Sequence, residues 1–148
     1  MTPKEFRHHF ENGVRVMFDW SVLASSNWPI KLQYFSLPEH SDRVYTPWYA
    51  LADGSVCNCN SPNAAPQSLA SVACNQALIA YHQVQGALAG QSVLVVPAYR
   101  LNPDTILLLD GNHRAAASQV AASRVAIAAF VVNGPIDGGV LPDLVHWA

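Results

Sequence analysis

Three short apolar segments in the second half of the chain place the tightest limit on its fold. Residues 92–99, 105–109 and 125–132 are rich in β-branched and aliphatic side chains, which is typical of buried strands. An alanine-rich segment, 113–124, separates the last two and predicts a helix. Strands joined through a helix pack as α/β layers, so we predict a mixed α/β (α+β) domain with a small mixed sheet and flanking helices. Pro97 further predicts that its strand lies at an edge or carries a bulge.

The N-terminal segment has a clear helix signal. Thr2-Pro3-Lys4-Glu5 is a capping-box pattern with proline at the first helical position, which predicts an N-terminal helix within residues 1–13. Gly13 is placed to end it. Alternating apolar residues then predict strands over 14–18 and 30–37.

The middle of the chain is harder to assign. Residues 41–66 are rich in Asp, Asn, Ser, Pro and Gly and predict a long loop, with short extended structure near 45–51. Apolar residues then follow helical spacing from 67 to 90, with Pro66 compatible with the opening turn, so we predict one long helix there.

Composition limits the classes of protein to consider. The chain has 148 residues, is 51% hydrophobic and 12% charged, and carries a formal net charge of -2. A single domain over residues 1–148 is expected at this length, and the hydrophobic content excludes a disordered chain. No apolar run approaches the roughly 20 residues of a membrane-spanning helix. The acidic balance excludes a strongly basic nucleic-acid surface, so any DNA contact needs a local arginine cluster.

The low fraction of charged residues also affects which partners the chain can bind. Ordinary soluble domains carry about 25% charged residues, roughly twice the fraction found here. Residues 134–148 are predicted to form a tail whose apolar side chains, Leu141, Leu144, Val145 and Trp147, offer a surface for self-association or a protein partner.

The three cysteines indicate a compartment but no metal site. Cys57, Cys59 and Cys74 lack the paired spacing of structural zinc ligands, so small apolar side chains are the favoured interpretation. No secretory signal precedes them, and we predict a cytoplasmic protein with reduced thiols.

The segment with the most candidate functional side chains joins the apolar segment 105–109 to the predicted helix. Asp110-Gly111-Asn112-His113-Arg114 turns a buried strand into a helix, where free backbone N–H groups and the helix dipole favour an anion. Gly111 permits positive φ, and His113 and Arg114 add phosphate donors. Asp110 would then be a metal ligand or general base. The alternative is that Asp110 caps the helix and the two basic side chains are simply solvated.

This strand, turn, alanine-rich helix and closing strand resemble the ParB/sulfiredoxin superfamily. The resemblance is strongest over residues 107–117 and extends in architecture over 92–132. In that superfamily a Gly-x-x-Arg or Gly-x-His-Arg turn binds nucleotide phosphates. The resemblance therefore implies ATP or another NTP with Mg²⁺, a phosphate site at Gly111, Asn112, His113 and Arg114, and Asp110 as catalytic residue and metal ligand.

The branches of the superfamily differ in chemistry. Sulfiredoxins have their catalytic cysteine where this chain has Asn112, which argues against that activity. Plasmid fertility-inhibition proteins resemble ParB nucleases, and this branch implies ATP hydrolysis, DNA cleavage or both, with inhibition of conjugative transfer. Free-serine kinases use Asp-Gly-His-His-Arg, one residue from the turn seen here, so a small-molecule kinase is an alternative. A non-catalytic interaction or inhibitory module is a third.

Two further residues complete the predicted site. Glu39 follows the strand-ending Pro38, at about the place where the kinases carry a glutamate, and is a candidate catalytic carboxylate; plain solvent exposure explains it equally well. Arg100 ends a strand just before a turn and is a candidate phosphate contact, although a surface arginine is the simpler interpretation.

Overall fold

The computed structural model describes residues 1–148, which form five α-helices and seven strands. The helices are α1 (Pro3–Phe10), α2 (Trp20–Ser25), α3 (Leu69–Ala73), α4 (Gln76–Tyr81) and α5 (Asn112–Val120). The strands are β1 (Ile30–Leu37), β2 (Val44–Ala50), β3 (Val56–Cys57), β4 (Ala65–Ser68), β5 (Val93–Asn102), β6 (Thr105–Leu108) and β7 (Val125–Val132). Short 3-10 helices cover Gly86–Leu88 and Pro142–His146. No helix has the length and apolar character needed to cross a membrane.

All seven strands belong to one mixed sheet. Their order is β1-β7-β5-β6-β2-β3, and β4 pairs with β2 outside this path. The β7–β5 and β6–β2 pairs are parallel, and the other pairs are antiparallel. The predicted mixed α/β class, with a mixed sheet and flanking helices in one compact domain, is confirmed.

The sheet separates two hydrophobic clusters, because alternate residues of a strand face opposite sides. On β6, Ile106 and Leu108 belong to the cluster that packs against α3, α4 and α5. Leu107, between them, belongs to the cluster that packs against α1, α2 and the C-terminal segment. The fold is therefore a three-layer arrangement with helical structure on both faces of the sheet.

Several predicted elements have the predicted position. Strands β1 and β7 cover 30–37 and 125–132 as predicted. The capping box of α1 forms in full, with the Thr2 hydroxyl accepting from the Glu5 N–H and the Glu5 carboxylate accepting from the Thr2 N–H. Helix α5 begins one residue before the predicted 113–124 helix and ends earlier, because Ala122 adopts a left-handed conformation with φ of 51°.

The strand predicted over 14–18 is wrong. This segment has irregular structure that connects α1 to α2, and the Phe18 N–H donates to the Val16 carbonyl in a tight turn. Val14 and Phe18 are nevertheless buried in the core beneath α1. The alternating pattern therefore reflected burial of two side chains rather than strand pairing.

The long loop predicted over 41–66 is also wrong, because it contains β2, β3 and the start of β4. Val44, Trp48 and Tyr49 are buried, as expected for a strand inside the sheet. Pro47 lies where the β2–β4 register shifts, so its missing N–H does not interrupt a regular ladder. The short extended structure predicted near 45–51 is confirmed by β2, whereas polar and turn-forming residues hid β3 and the start of β4 from the sequence pattern.

The single helix predicted over 67–90 is divided into shorter elements. Pro66 lies in β4 rather than in a helical turn. Helix α3 ends at Ala73, and Asn75 begins α4 by accepting the Leu78 N–H while its amide donates to the Gly54 carbonyl. Continuous apolar spacing could not show this break, because the Asn75–Gly54 contact joins segments that are distant in sequence.

The edge position predicted from Pro97 is wrong, since β5 is an interior strand. The last regular pair on its β6 side joins Ala98 to Leu108, and Pro97 lies next to Leu109 just beyond it. There the Pro97 carbonyl accepts the Leu109 N–H at 2.9 Å, and no reciprocal donor is required. The predicted bulge does occur in β5, between Arg100 and Asn102.

The C-terminal tail predicted as an association surface forms part of the core instead. Leu141 and Leu144 are fully buried, and Trp147 packs edge-on against Tyr45 at 4.6 Å between ring centroids. Of the apolar side chains predicted to form that surface, only Val145 is mostly exposed, at 57%.

Polar contacts fix the same segment to the β2–β3 hairpin. The Tyr49 hydroxyl donates to the buried carboxylate of Asp143, and burial together with this bond raises the pKa of Tyr49. His146 Nε2 lies 2.7 Å from the Cys59 carbonyl oxygen, which can only accept, so Nε2 donates. Burial also raises the pKa of the neighbouring Cys59 thiol.

We therefore expect the C-terminal segment to be required for stability. Leu144→Ala removes a fully buried side chain and leaves a cavity, so the free energy of unfolding should fall by about 2–5 kcal/mol. Val145→Ala is the matched control and should change it by less than about 0.5 kcal/mol, as is usual at exposed positions. Urea unfolding measures both; equal effects would show that the segment is not packed as described.

Candidate functional site

The turn between β6 and α5 depends on Gly111. This residue is the N-cap of α5 and adopts a left-handed conformation with φ of 81°. A Cβ at this position would also lie 2.7 Å from Cγ1 of Val96, closer than real Cβ contacts come. Glycine therefore allows both the positive φ and the close packing of the turn on β5.

The first turn of α5 has unpaired backbone donors. The N–H groups of Asn112, His113 and Arg114 have no protein acceptor, and the N-cap supplies no side-chain bond. Helix N-termini with free N–H groups attract anions through these donors and the helix dipole. Asp110 is not a helix cap, because the bond that its carboxylate accepts comes from the neighbouring Gly111 N–H, at 2.7 Å.

These residues line a cavity at the point where β6 separates from β5. Its volume is about 350 Å³. Because the β5–β6 ladder stops at Ala98, the earlier part of β5 has no strand partner on this side and forms one wall. The lining residues are Gln91, Leu94, Val95 and Val96 together with the turn residues 110–114.

Two oxygen-bearing side chains lie at this cavity. The side-chain oxygen of Asn112 is buried and has no hydrogen-bond partner. Ser118 Oγ and Gln119 Oε1, further along α5 and outside the cavity lining, are also buried without a partner, so the Asn112 oxygen alone does not mark a ligand position. Asp110 is half-buried and forms no ion pair with any basic side chain. The site therefore combines anion donors with a carboxylate that has no compensating cation.

Sequence analysis missed the role of Gly13. The sequence pattern assigns Gly13 only to the end of the first helix, but a Cβ at this position would overlap Oδ2 of Asp110. The loop after α1 therefore passes against the Asp110 side chain, and only glycine leaves room for it. A contact between positions so far apart in the chain has no local signature in a single sequence.

An aromatic stack supports the outer side of the turn. The exposed His113 ring contacts Trp48 edge-on at 5.3 Å between ring centroids. Trp48 also forms a parallel aromatic stack with His82 at 4.1 Å. Trp48 is 7% exposed, so it is a core side chain and not an open platform for a nucleobase. Burial, with a smaller contribution from the charge of His113, lowers the pKa of His82 to about 4.

The structure does not bring Glu39 to this cavity. Glu39 lies beyond the end of β1, where its carboxylate is 3.8 Å from Arg124 in an exposed ion pair. It lines a different, shallow cavity with Ser36 and the start of β7. The candidate pairing of Glu39 with Asp110 therefore has no geometric support.

Arg100 is also absent from the cavity. It lies near the opposite end of β5 from Leu94, where its guanidinium donates to the side-chain oxygens of Gln33 and Asn133. Burial lowers its pKa, and the side chain is held on the sheet surface. The bulge in β5 and the cross-strand partners direct Arg100 away from the turn, which local sequence could not indicate.

Comparison with known proteins gives no independent assignment. A scan against family models, a search of curated proteins and a search of solved structures each found no match. The geometry of the site therefore carries the functional argument.

The stack around Trp48 makes a pH-dependent prediction. A folded-state pKa of about 4 for His82, against about 6.5 in the unfolded chain, means that the unfolded state binds more protons between these values. We therefore expect stability to fall as pH decreases from 6.5 to 4, and less so in His82→Gln. An NMR titration should place the His82 midpoint near 4, and His113→Ala should raise it by removing a positive neighbour. A midpoint near 6.5 would contradict the packing described.

Proposed function

We propose that this chain binds ATP, or another nucleoside triphosphate, through its phosphates at the 110–114 turn and hydrolyses it. The observation that carries the proposal is the set of unpaired N–H groups of Asn112, His113 and Arg114 at the cavity. The Arg114 side chain lies at the same cavity, is exposed, and is in no ion pair, so it can reach a phosphate oxygen.

The proposal includes membership of the ParB/sulfiredoxin superfamily. The support is the coincidence of sequence and geometry: the Asp-Gly-Asn-His-Arg motif occupies a turn between a buried strand and a helix, with Gly111 left-handed and the helix donors unpaired. A cavity of about 350 Å³ is also within the usual range for small-molecule ligands.

The proposed chemistry uses Asp110 as the base. A water oxygen bonds to the γ-phosphorus, the bond from that phosphorus to the β,γ-bridging oxygen breaks, and the proton of the water passes to the Asp110 carboxylate. ADP and inorganic phosphate leave. A carboxylate such as that of Asp110 is the kind of ligand that Mg²⁺ takes alongside nucleotide phosphates, and the bound ion would neutralise phosphate charge. The half-buried Asp110 carboxylate, which lines the cavity and is in no ion pair, fits that role.

Two observations favour NTP hydrolysis over the alternatives. A kinase related to the free-serine kinases would use a glutamate beside the turn, but Glu39 is engaged with Arg124 elsewhere. DNA cleavage would need extensive phosphate neutralisation for binding, and the chain has a formal net charge of -2 with eight lysines and arginines in all. A single nucleotide needs only the local donors.

Arg114 should be required for nucleotide binding. Loss of a charged hydrogen bond to phosphate in Arg114→Ala should weaken ATP binding by about 1.5–3 kcal/mol, roughly ten- to a hundredfold in Kd. Arg124→Ala is the matched control, because Arg124 is 89% exposed and pairs with Glu39 instead. Isothermal titration with ATP and Mg²⁺ measures all three proteins. No binding by the wild type, or equal affinity for all three, would refute the phosphate site.

Asp110 should be required for hydrolysis and not for binding. Asp110→Asn removes the base while keeping an oxygen that can accept the Gly111 N–H, so phosphate release with Mg²⁺ should fall at least about a hundredfold, while the Kd for ATP measured without Mg²⁺ should change little. Glu39→Gln is the control and should retain full activity. An Asp110→Asn protein with wild-type turnover would refute the proposed base. ADP formation that depends on an added alcohol, or nicking of plasmid DNA, would instead favour the kinase or the nuclease.

A further inference from the structure

The outer edge of β1 has free hydrogen-bonding groups. On its inner side, the Asn133 N–H donates to the Pro29 carbonyl at 2.8 Å, so in the antiparallel ladder with β7 the alternate residues Lys31, Gln33 and Phe35 carry the bonds. Leu32 and Tyr34 direct their N–H and C=O groups away from β7, where β1 has no second strand neighbour. The free edge ends at Ser36, whose N–H donates to His40 Nδ1 and whose carbonyl accepts from the His40 N–H.

The same two residues expose apolar side chains. Leu32 is 46% and Tyr34 is 64% exposed, and both lie on the same face of the sheet. Their neighbours on β7, Phe130 and Ala128, are uncharged. Natural edge strands are usually protected by charges, prolines or bulges, and the only charged side chain of β1, Lys31, lies on the other face.

From this we propose that β1 pairs with β1 of a second copy of the chain, antiparallel about a two-fold axis through Gln33. In this register Leu32 pairs with Tyr34 of the other copy and Tyr34 with Leu32, so the free N–H and C=O groups of both residues are satisfied in both copies. The free edge between Ile30 and the block at Ser36 is centred on Gln33, which is the symmetry that self-pairing requires.

Electrostatics favour a second copy as the partner. A two-fold interface brings any charge near its axis close to the same charge of the other copy, and the uncharged Leu32–Tyr34 face avoids this repulsion. On the other face Lys31 lies opposite Phe35 of the second copy, and the Arg100 guanidinium donates to the Gln33 side chain from β5, on the inner side of β1. The two Lys31 side chains are then offset by four residues, about 13 Å along the strand, which exceeds the screening length of about 8 Å at physiological ionic strength.

The contact is small, and this sets the expected affinity. Stable interfaces bury about 800 Å² on each partner, more than one short strand pair with two apolar side chains supplies. We therefore expect a dimer that dissociates in the micromolar range or above. The cavity at residues 110–114 lies at β5, two strands from β1, so the pairing leaves it open.

Sedimentation velocity over a range of concentrations tests the interface. Wild type should shift from monomer to dimer as concentration rises. Tyr34→Pro removes an N–H that has no partner in the monomer, and Tyr34→Lys adds a charge; each should weaken dimerisation at least about tenfold while circular dichroism shows an intact fold. Val93→Lys is the control, because Val93 is 50% exposed on the same face but lies on β5, and it should dimerise like wild type.

Cross-linking tests the register. In a Cys74→Ser background, Gln33→Cys should form an interchain disulfide on mild oxidation, because the proposed axis places position 33 directly opposite itself. Lys31→Cys should not. The proposal is overturned if wild type remains monomeric at all concentrations, forms open-ended assemblies, dimerises equally well with both Tyr34 variants, or loses its dimer in Val93→Lys. Cross-linking of Lys31→Cys rather than Gln33→Cys would overturn the register.

Discussion

The close packing of Gly111 on Val96 is the contact on which the candidate site depends. It fixes the point at which β6 leaves β5, and the chain must then turn within the few residues before α5 begins. Because the turn lies against β5, the first part of that strand loses its neighbour and becomes a wall of the cavity. The same left-handed residue begins α5 without a side-chain cap, which leaves the helix donors free. Gly111 therefore affects the shape of the cavity through its packing on Val96, and its chemistry through the free N–H groups at the start of α5.

The scarcity of charge makes the position of each charged side chain informative. The chain is 12% charged, and three of its six arginines have separate roles: Arg100 joins cross-strand side chains, Arg124 pairs with Glu39, and Arg114 lies at the cavity without a carboxylate partner. Asp110 is likewise free of a basic partner. An exposed arginine and a half-buried carboxylate line one cavity and neither is in an ion pair, so both side chains are available to a ligand. They also limit the ligand to one that carries its own charge locally, such as a nucleotide.

The two proposals use different parts of one sheet. The cavity lies where the interior strand β5 extends beyond the end of its neighbour β6, and the proposed dimer contact lies on the edge strand β1. In both places the determining feature is a set of backbone groups that the sheet or helix leaves unpaired, since main-chain donors and acceptors require partners. The buried C-terminal segment supports both, because it completes the core beneath α1 and so holds the sheet that carries them.

Local patterns in the sequence determined a large part of this description. Runs of apolar side chains located β1 and β7, the capping residues located α1, and the strand-Asp-Gly-helix pattern located the turn with its free donors, because each of these depends on neighbouring residues. Long-range contacts decided the rest. Pairing with β6 and β4 places β2 inside the sheet. The 67–90 helix is interrupted because Asn75 bonds to Gly54, and the C-terminal apolar residues are core because Tyr49 and Cys59 anchor their segment. Tertiary structure alone kept Glu39 and Arg100 from the turn and brought Gly13 to Asp110. A sequence shows which side chains can form a site, whereas the strand order decides which of them meet.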